Sequence, residues 1–181
     1  MKIFYSSPFR SDKNIGKAYN EFIALLPEDA YVCITDGDSM FLHPYYGKCI
    51  EEIIKTNPDY DLIGCVTNRL GILHQCYNNE FSEDTDVSNH YEKTISAWDN
   101  NGTIVEPTNL VAGLCMIFSK QTWIKVGGFK ENTIFADKLF SQYILRNKGK
   151  IGIAKGLYVF HGYRIWNKTH LKAWNSTEHL R

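Results

Sequence analysis

Residues 31–38 read YVCITDGD, an apolar run that leads directly into Asp36-Gly37-Asp38. The first five residues are rich in β-branched and aromatic side chains, which predicts a buried strand over 31–35. Both aspartates therefore follow the end of a strand, and open α/β sheets bind their ligands at the carboxyl ends of their strands. This stretch indicates both the class of fold and the position of a ligand site.

Strand-like and helix-like stretches alternate around this run. Short apolar runs predict strands over 2–5 and 62–66. Apolar residues at helical spacing predict a helix after Asn14, which is a suitable N-cap, and a second helix from Tyr46. The βαβαβ order favours an α/β fold with a mainly parallel, Rossmann-like sheet flanked by helices, in a single domain over 1–181.

The chain becomes irregular between residues 67 and 109. This stretch is polar, partly acidic and without apolar periodicity, so we expect a long loop that is either functional or poorly ordered. Regular patterns return with a predicted strand over 114–118 and a short helix over 121–125, for which Ser119 is the expected cap.

The last regular patterns lead to a histidine. Residues 139–144 predict a helix that ends at Gly149, a residue suited to a left-handed C-terminal cap. Two short strands, over 151–154 and 157–160, then lead into His161.

Composition limits the kinds of partner. The 20 Lys and Arg balance the 20 Asp and Glu, which gives no electrostatic reason to bind nucleic acid or an anionic membrane. No segment approaches the roughly 20 apolar residues that cross a bilayer, and the first residues do not form a signal-peptide pattern. Five cysteines without a CxxC pair predict reduced core thiols, so we expect a cytoplasmic protein.

Asp36 and Asp38 are candidate metal ligands. Two carboxylates one residue apart repel each other beside an apolar strand, and a divalent cation relieves that repulsion. Oxygen ligands suit Mg²⁺ or Mn²⁺, which also bind substrate phosphates. His161 would add an imidazole, which favours Mn²⁺ over Mg²⁺. A simple turn at the aspartates and a structural, hydrogen-bonded His161 are the alternatives.

Three further charged residues are weaker candidates. Arg164 and Lys168 follow His161 closely, and such side chains commonly hold phosphate groups, although an ordinary solvated surface fits them equally well. Asp137 stands at the start of a predicted helix, where its spacing favours a cap that complements the helix dipole. A role as a general base would require burial of this carboxylate or a bound acceptor.

Four segments, taken in order, resemble the GT-A glycosyltransferases and in particular the large family 2 group. The first contains a Gly-x-Ala-x-Asn helix followed by a DxD strand, the second ends at Gly-Gly-Phe, the third matches the family's Glu-Asp helix, and the fourth matches its late histidine strand. These segments are NIGKAYNEFIALLPEDAYVCITDGDSMFLHP (14–44), VAGLCMIFSKQTWIKVGGF (111–129), FADKLFSQYILRNKGKIGIA (135–154) and LYVFHGY (157–163).

This resemblance implies a metal-dependent enzyme that moves a sugar from a nucleoside-diphosphate sugar to an acceptor hydroxyl, with inversion. It assigns Asp36 and Asp38 to the metal and the donor, His161 to the metal, and Asp137 to the general base. The nucleoside would contact Ser6, Ser7 and Pro8. Arg164 and Lys168, which are candidates because of their residue types, would contact the donor phosphates. The loop over 67–109 would shape the acceptor site, and the tail over 162–181 would be a flexible segment that closes over the donor.

The chain departs from the family pattern in two places. Residues 6–13 alone separate the first strand from the first helix, so the family's second strand, with its acidic residue for the nucleotide base, is expected to be absent. Ala136 stands where the family has a glutamate before Asp137. The alternatives are a retaining enzyme, a catalytically silent GT-A-like domain that binds sugars or partners, and a phosphatase of the haloacid dehalogenase type.

Overall fold

A central β-sheet organises the fold in the computed structural model, which describes residues 1–106 and 109–162. The strands are β1 (Ile3–Ser6), β2 (Tyr31–Thr35), β3 (Ser39–Phe41), β4 (Leu62–Thr67), β5 (Ile104–Val105), β6 (Cys115–Ser119) and β7 (Ile151–His161). Their order across the sheet is β1-β2-β6-β4-β7-β3, and β5 also pairs with β7.

The directions of the strands make this a mixed sheet. β1 runs parallel to β2, and β4 runs parallel to β7. β6 lies antiparallel between β2 and β4, while β3 and β5 are antiparallel to β7. Within the described part of the chain, four of the seven strands therefore point one way and three the other. The α/β class is confirmed, with antiparallel members that the order of elements did not reveal.

Helices cover both faces of the sheet. They are α1 (Ile15–Ala24), α2 (Tyr46–Thr56), α3 (Val87–Trp98), α4 (Lys120–Val126) and α5 (Ala136–Arg146). Neighbouring residues of β2 point to opposite faces, as the period of a strand requires. Val32 packs in the cluster that contains residues of α1 and α5, whereas Cys33 packs in the cluster that contains residues of α2. All five cysteines are buried.

Two predicted helix caps are confirmed. The Asn14 side chain accepts a hydrogen bond from Lys17 N at the start of α1, and the Ser119 side chain accepts one from Thr122 N at the start of α4. Each cap satisfies a backbone donor that has no partner within its helix.

The irregular stretch over 67–109 contains more regular structure than the sequence predicts. Helix α3 and strand β5 lie within it, together with two short 3₁₀ turns, Leu73–Gln75 and Tyr77–Asn79. The lack of apolar periodicity wrongly indicated a loop, because the buried residues of α3 are His90, Thr94 and Ala97. A polar buried face gives no apolar repeat, so the usual signal of an amphipathic helix is missing.

The end of α5 differs from its predicted form. Gly149 does not have a left-handed backbone; Lys148 does, with a φ of 58°. Lys148 N donates to Leu145 O and Gly149 N donates to Ile144 O, which is the hydrogen-bond pattern of a Schellman motif. A side chain at residue 149 would collide with Asp61 and Ile144, so a close approach explains this glycine.

The two strands predicted over 151–154 and 157–160 are one strand, β7. Its pairing with β4 shifts register, because Cys65 faces Ala154 whereas the next residue, Val66, faces Tyr158. The extra residues of β7 form an irregularity rather than a break in the strand.

β1 forms one edge of the sheet in the described ranges, next to β2. None of the helices within 1–106 and 109–162 is both long enough and apolar enough to cross a membrane.

Candidate active site

Asp36 and Asp38 lie in a tight turn between β2 and β3. Asp36 N donates to Leu114 O at 3.0 Å, and Asp36 O accepts from Ser39 N at 3.1 Å. Asp38 O accepts from Gly162 N at 2.8 Å, just beyond the end of β7. Main-chain hydrogen bonds on several sides therefore hold both aspartates in place.

The pairing of β3 with β7 brings His161 to the same turn. Ser39 is the partner of His161 across these two strands. One ligand atom each from Asp36, Asp38 and His161 lies within 4.8 Å of the others. The distance between Asp38 Oδ1 and His161 Nε2 is 3.5 Å. The three side chains predicted as metal ligands thus meet at one point of the fold.

The His161 ring has a defined orientation. Its Nδ1 lies 2.9 Å from Arg69 O, and because a carbonyl oxygen can only accept, Nδ1 carries the proton. Nε2, which lies 3.5 Å from Asp38 Oδ1, is then the ring nitrogen that could bind a metal. This is the common arrangement of a metal-binding histidine, whose second nitrogen donates to a carbonyl or carboxylate.

Asn68 holds the backbone of His161 on both sides. Its Oδ1 accepts from His161 N at 2.7 Å, and its Nδ2 donates to His161 O at 3.2 Å. Asn68 is buried and directly follows β4. The side chain therefore fixes the end of β7 relative to β4. Sequence reasoning did not identify Asn68 or Arg69, although two polar residues after a buried strand are a signal that it could have used.

The two aspartates have different electrostatic environments. Burial is the main cause that raises the pKa of Asp36, the charges of Asp38 and Asp137 add to the shift, and His161 opposes it. The contact with His161 lowers the pKa of Asp38, whose side chain is 46% exposed. A divalent cation between them would relieve the cost of keeping Asp36 ionised.

Asp36 and His161 also line a cavity of about 500 Å³, and Asp137 lines it as well. Most of the other described residues in its wall are apolar. The full set is Ile15, Tyr19, Asp36, Leu70, Ala112, Gly113, Leu114, Ile134, Phe135, Ala136, Asp137 and His161. Two of the three candidate metal ligands, Asp36 and His161, thus share this cavity with the predicted general base.

Asp137 lies in the first turn of its helix, as its spacing predicts, but it is not the N-cap residue. Helix α5 begins at Ala136, and its N-cap residue is Phe135, which makes no side-chain capping bond. Asp137 Oδ2 instead accepts from Gly113 N at 2.8 Å, and Oδ1 accepts from Lys138 N at 2.7 Å. The bond to Gly113 ties the start of α5 to the loop before β6 and holds the carboxylate at the cavity wall.

The predicted donor-binding residues have other positions. Ser6 ends β1, and Ser7 Oγ lies 2.8 Å from Thr35 Oγ1 at the end of the parallel strand β2. Ser6, Ser7 and Pro8 are not among the described residues of the cavity wall. Arg164, Lys168 and the predicted tail, apart from Gly162, lie outside the described residues.

Two of the four segments that resemble the GT-A enzymes, 14–44 and 111–129, pack against each other through Asn20. Its Oδ1 accepts from Phe129 N and from Trp123 Nε1, both at 2.9 Å, and its Nδ2 donates to Phe129 O at 2.9 Å. Gly16, one helical turn earlier, lies so close to Lys130 O that any side chain would collide with it. The Gly-x-Ala-x-Asn helix and the Gly-Gly-Phe segment therefore form one packed unit behind the cavity.

No model of a known protein family matches this chain, and a search of curated proteins found no match either. The function is therefore inferred from the geometry of the site.

Proposed function

We propose that the protein is a metal-dependent glycosyltransferase with a GT-A-like fold, which moves a sugar from a nucleoside-diphosphate sugar to an acceptor hydroxyl with inversion. The observation that carries this proposal is the shared cavity. Two candidate metal ligands, Asp36 and His161, line it together with the carboxylate of Asp137. A donor held at the metal ligands through its diphosphate would place its sugar in the cavity, toward that carboxylate.

The chemistry of the three candidate ligands fits a divalent cation. Asp36 and Asp38 offer hard carboxylate oxygens, and the tautomer of His161 offers a nitrogen lone pair. This mixed set favours Mn²⁺ over Mg²⁺. When bound, the ion would supply Lewis-acid stabilisation to the departing diphosphate.

Asp137 would act as the general base. In the inverting reaction an acceptor oxygen forms a bond to the anomeric carbon as the bond from that carbon to the diphosphate oxygen breaks. The acceptor proton passes to a carboxylate oxygen of Asp137. The hydrogen bond from Gly113 N keeps the carboxylate oriented while the acceptor binds.

The position of the first strand supports a nucleoside site at the same edge of the sheet. β1 and β2 are parallel, so Ser6, Ser7 and Pro8 leave the sheet on the side where Asp36 does. We retain these three residues as the proposed nucleoside contacts, with the hydrogen bond between Ser7 and Thr35 fixing their distance from the metal ligands.

A thermal-shift screen of nucleoside diphosphates and nucleotide-sugars, with Mn²⁺ or with a chelator, tests the proposal. We expect one nucleotide class to stabilise the protein only when Mn²⁺ is present, by about 2.7 kcal/mol at a hundred times its Kd. Asp38→Asn should abolish this stabilisation. Asp86→Asn is the control, because Asp86 caps α3 through Ser88 N and asparagine caps a helix equally well.

The outcomes separate the alternatives. Mn²⁺-dependent binding of a nucleotide-sugar that is never consumed, with any acceptor or with water, would favour the catalytically silent domain. A chain that binds no nucleotide under any of these conditions is not a glycosyltransferase of the proposed kind.

A further inference from the structure

Tyr19 is a polar residue of the cavity that the proposed mechanism does not use. It lies in α1 between Ala18 and Asn20, lines the cavity and is only 4% exposed. Its ring packs edge-to-face on Phe129, with 4.9 Å between the ring centroids. The ring therefore belongs to the core, while the residue as a whole contributes to the wall of the cavity.

The Tyr19 hydroxyl makes no hydrogen bond to any residue within 1–106 or 109–162. Buried tyrosine hydroxyls usually have a partner. Tyr158, a second buried tyrosine of this fold, illustrates the rule, because its hydroxyl lies 2.7 Å from His90 Nδ1. Because Tyr19 lines the cavity and its hydroxyl has no partner among the described residues, this hydroxyl is available to a ligand in the cavity.

Burial raises the pKa of Tyr19, and the negative charges of Asp36 and Asp137 raise it further. The hydroxyl is therefore neutral and able to donate throughout the physiological range. We call the part of the wall that contains Asp36 and His161 the metal end of the cavity, and the part that contains Asp137 its other end.

The composition of the cavity wall leaves few donors for a sugar. Asp36 and Asp137 can only accept when they are ionised, and Nε2 of His161 is committed to the proposed metal. The remaining side chains of the described wall are apolar, apart from that of Tyr19. An oxygen of a sugar ring that needs a side-chain donor here would find it at Tyr19.

We infer that the Tyr19 hydroxyl binds the sugar that is transferred, by donating a hydrogen bond to one of its hydroxyl or ring oxygens. This inference rests on the proposed function. It makes Tyr19 a residue that distinguishes the nucleotide-sugar from the nucleoside diphosphate, since the diphosphate lies at the metal end of the cavity.

The test is Tyr19→Phe, which keeps the ring on Phe129 and removes only the hydroxyl. With Mn²⁺ present, calorimetry would compare UDP with UDP-glucose and UDP-N-acetylglucosamine, and GDP with GDP-mannose. We expect the affinity for the nucleotide-sugar to fall about 2- to 10-fold, the loss of one net hydrogen bond. The affinity for the matching nucleoside diphosphate should not change, and the Tm of the protein without ligand should stay the same or rise.

Tyr158→Phe is the matched control, since it removes a hydroxyl that has a protein partner. It should lower the Tm and leave both affinities unchanged. An equal loss of affinity for nucleoside diphosphate and nucleotide-sugar in Tyr19→Phe would place the hydroxyl on the phosphates and overturn the inference. Unchanged nucleotide-sugar affinity would overturn it as well. If the wild-type protein binds no nucleotide, the proposed function fails first and the inference fails with it.

Discussion

The two ends of the cavity are built in different ways. At the metal end, Asp36, Asp38 and His161 follow or end strands, and main-chain hydrogen bonds together with Asn68 fix their backbones. At the other end, Asp137 lies in the first turn of a helix and is tied to the rest of the fold by its bond to Gly113 N.

The residues at the two ends also differ in their exposure to solvent. At the metal end His161 is 4% exposed and the Asp38 side chain 46%, whereas Ile134 and Phe135, which line the cavity just before Asp137, are 84% and 55% exposed. One end is thus a rigid, charged site suited to a constant diphosphate. The other is an open, apolar rim around one carboxylate, which suits an acceptor that enters from solvent. The difference indicates that substitutions at the two ends should affect different steps.

Asp137→Asn should show the largest difference between the two ends, because it should slow turnover without changing binding. The amide keeps an oxygen for Gly113 N but cannot take a proton, so release of nucleoside diphosphate from a bound nucleotide-sugar should slow by about 100- to 10,000-fold. Affinity for Mn²⁺ and for the nucleotide should not change, because the metal ligands are untouched. Turnover assays and calorimetry on the same variant measure both effects.

Asp86→Asn provides the control for this substitution, since it replaces an acid at the start of a different helix. It should leave both turnover and binding at the wild-type level. Normal turnover by Asp137→Asn would show that Asp137 is not the general base and that its carboxylate has only a structural role.

A smaller effect, confined to the metal end, is expected from Asn68→Ala. This change removes both hydrogen bonds to the backbone of His161 and should weaken Mn²⁺ binding about 10- to 100-fold, as supporting residues of metal sites typically do. Binding is measured by titration under conditions where circular dichroism shows the variant to be folded. Asn57→Ala, which removes a bond to Ile53 O at the end of α2, should leave Mn²⁺ affinity unchanged. Equal losses of Mn²⁺ affinity in the two variants would indicate that lower stability of the protein, and not the position of His161, causes the loss.

The smallest effect is expected from Lys148→Gly, at the end of α5 that is remote from Asp137. Glycine relieves the left-handed backbone of Lys148, so the free energy of unfolding should rise by about 0.5–1 kcal/mol. Lys55→Gly, in the last turn of α2, should lower it by about 1 kcal/mol because its backbone is helical. Urea titrations measure both. Neither change should alter Mn²⁺ affinity, and an altered affinity in Lys148→Gly would show that the two ends are coupled through α5.

Local signals account for what could be predicted from the sequence. The strand β2, the caps Asn14 and Ser119, and the position of both aspartates after a strand each depend on neighbouring residues. His161 was identifiable because it follows an apolar run. A shared site with Asp36 and Asp38 was expected from its ligand chemistry and from the resemblance to the GT-A enzymes.

Other features depend on contacts that no local pattern records. Helix α3 was missed because it buries His90 and Thr94, which carry no apolar signal. Asn68 acts on a residue 93 positions later in the chain, and only the pairing of β4 with β7 brings the two together. Tyr19 resembles any core aromatic of an amphipathic helix, and its cavity exists only once α5 has packed beside α1.

The central claim is that Asp36, Asp38 and His161 hold a divalent cation together with a nucleoside diphosphate. Electron paramagnetic resonance of Mn²⁺, titrated into wild-type protein and into Asp38→Asn with and without UDP or GDP, tests it directly. We predict a single wild-type site that one of these nucleotides tightens, and an affinity that falls more than about 100-fold in the variant, beyond the loss typical of a supporting residue. Equal Mn²⁺ affinity in the two proteins, unaffected by either nucleotide, would contradict the account.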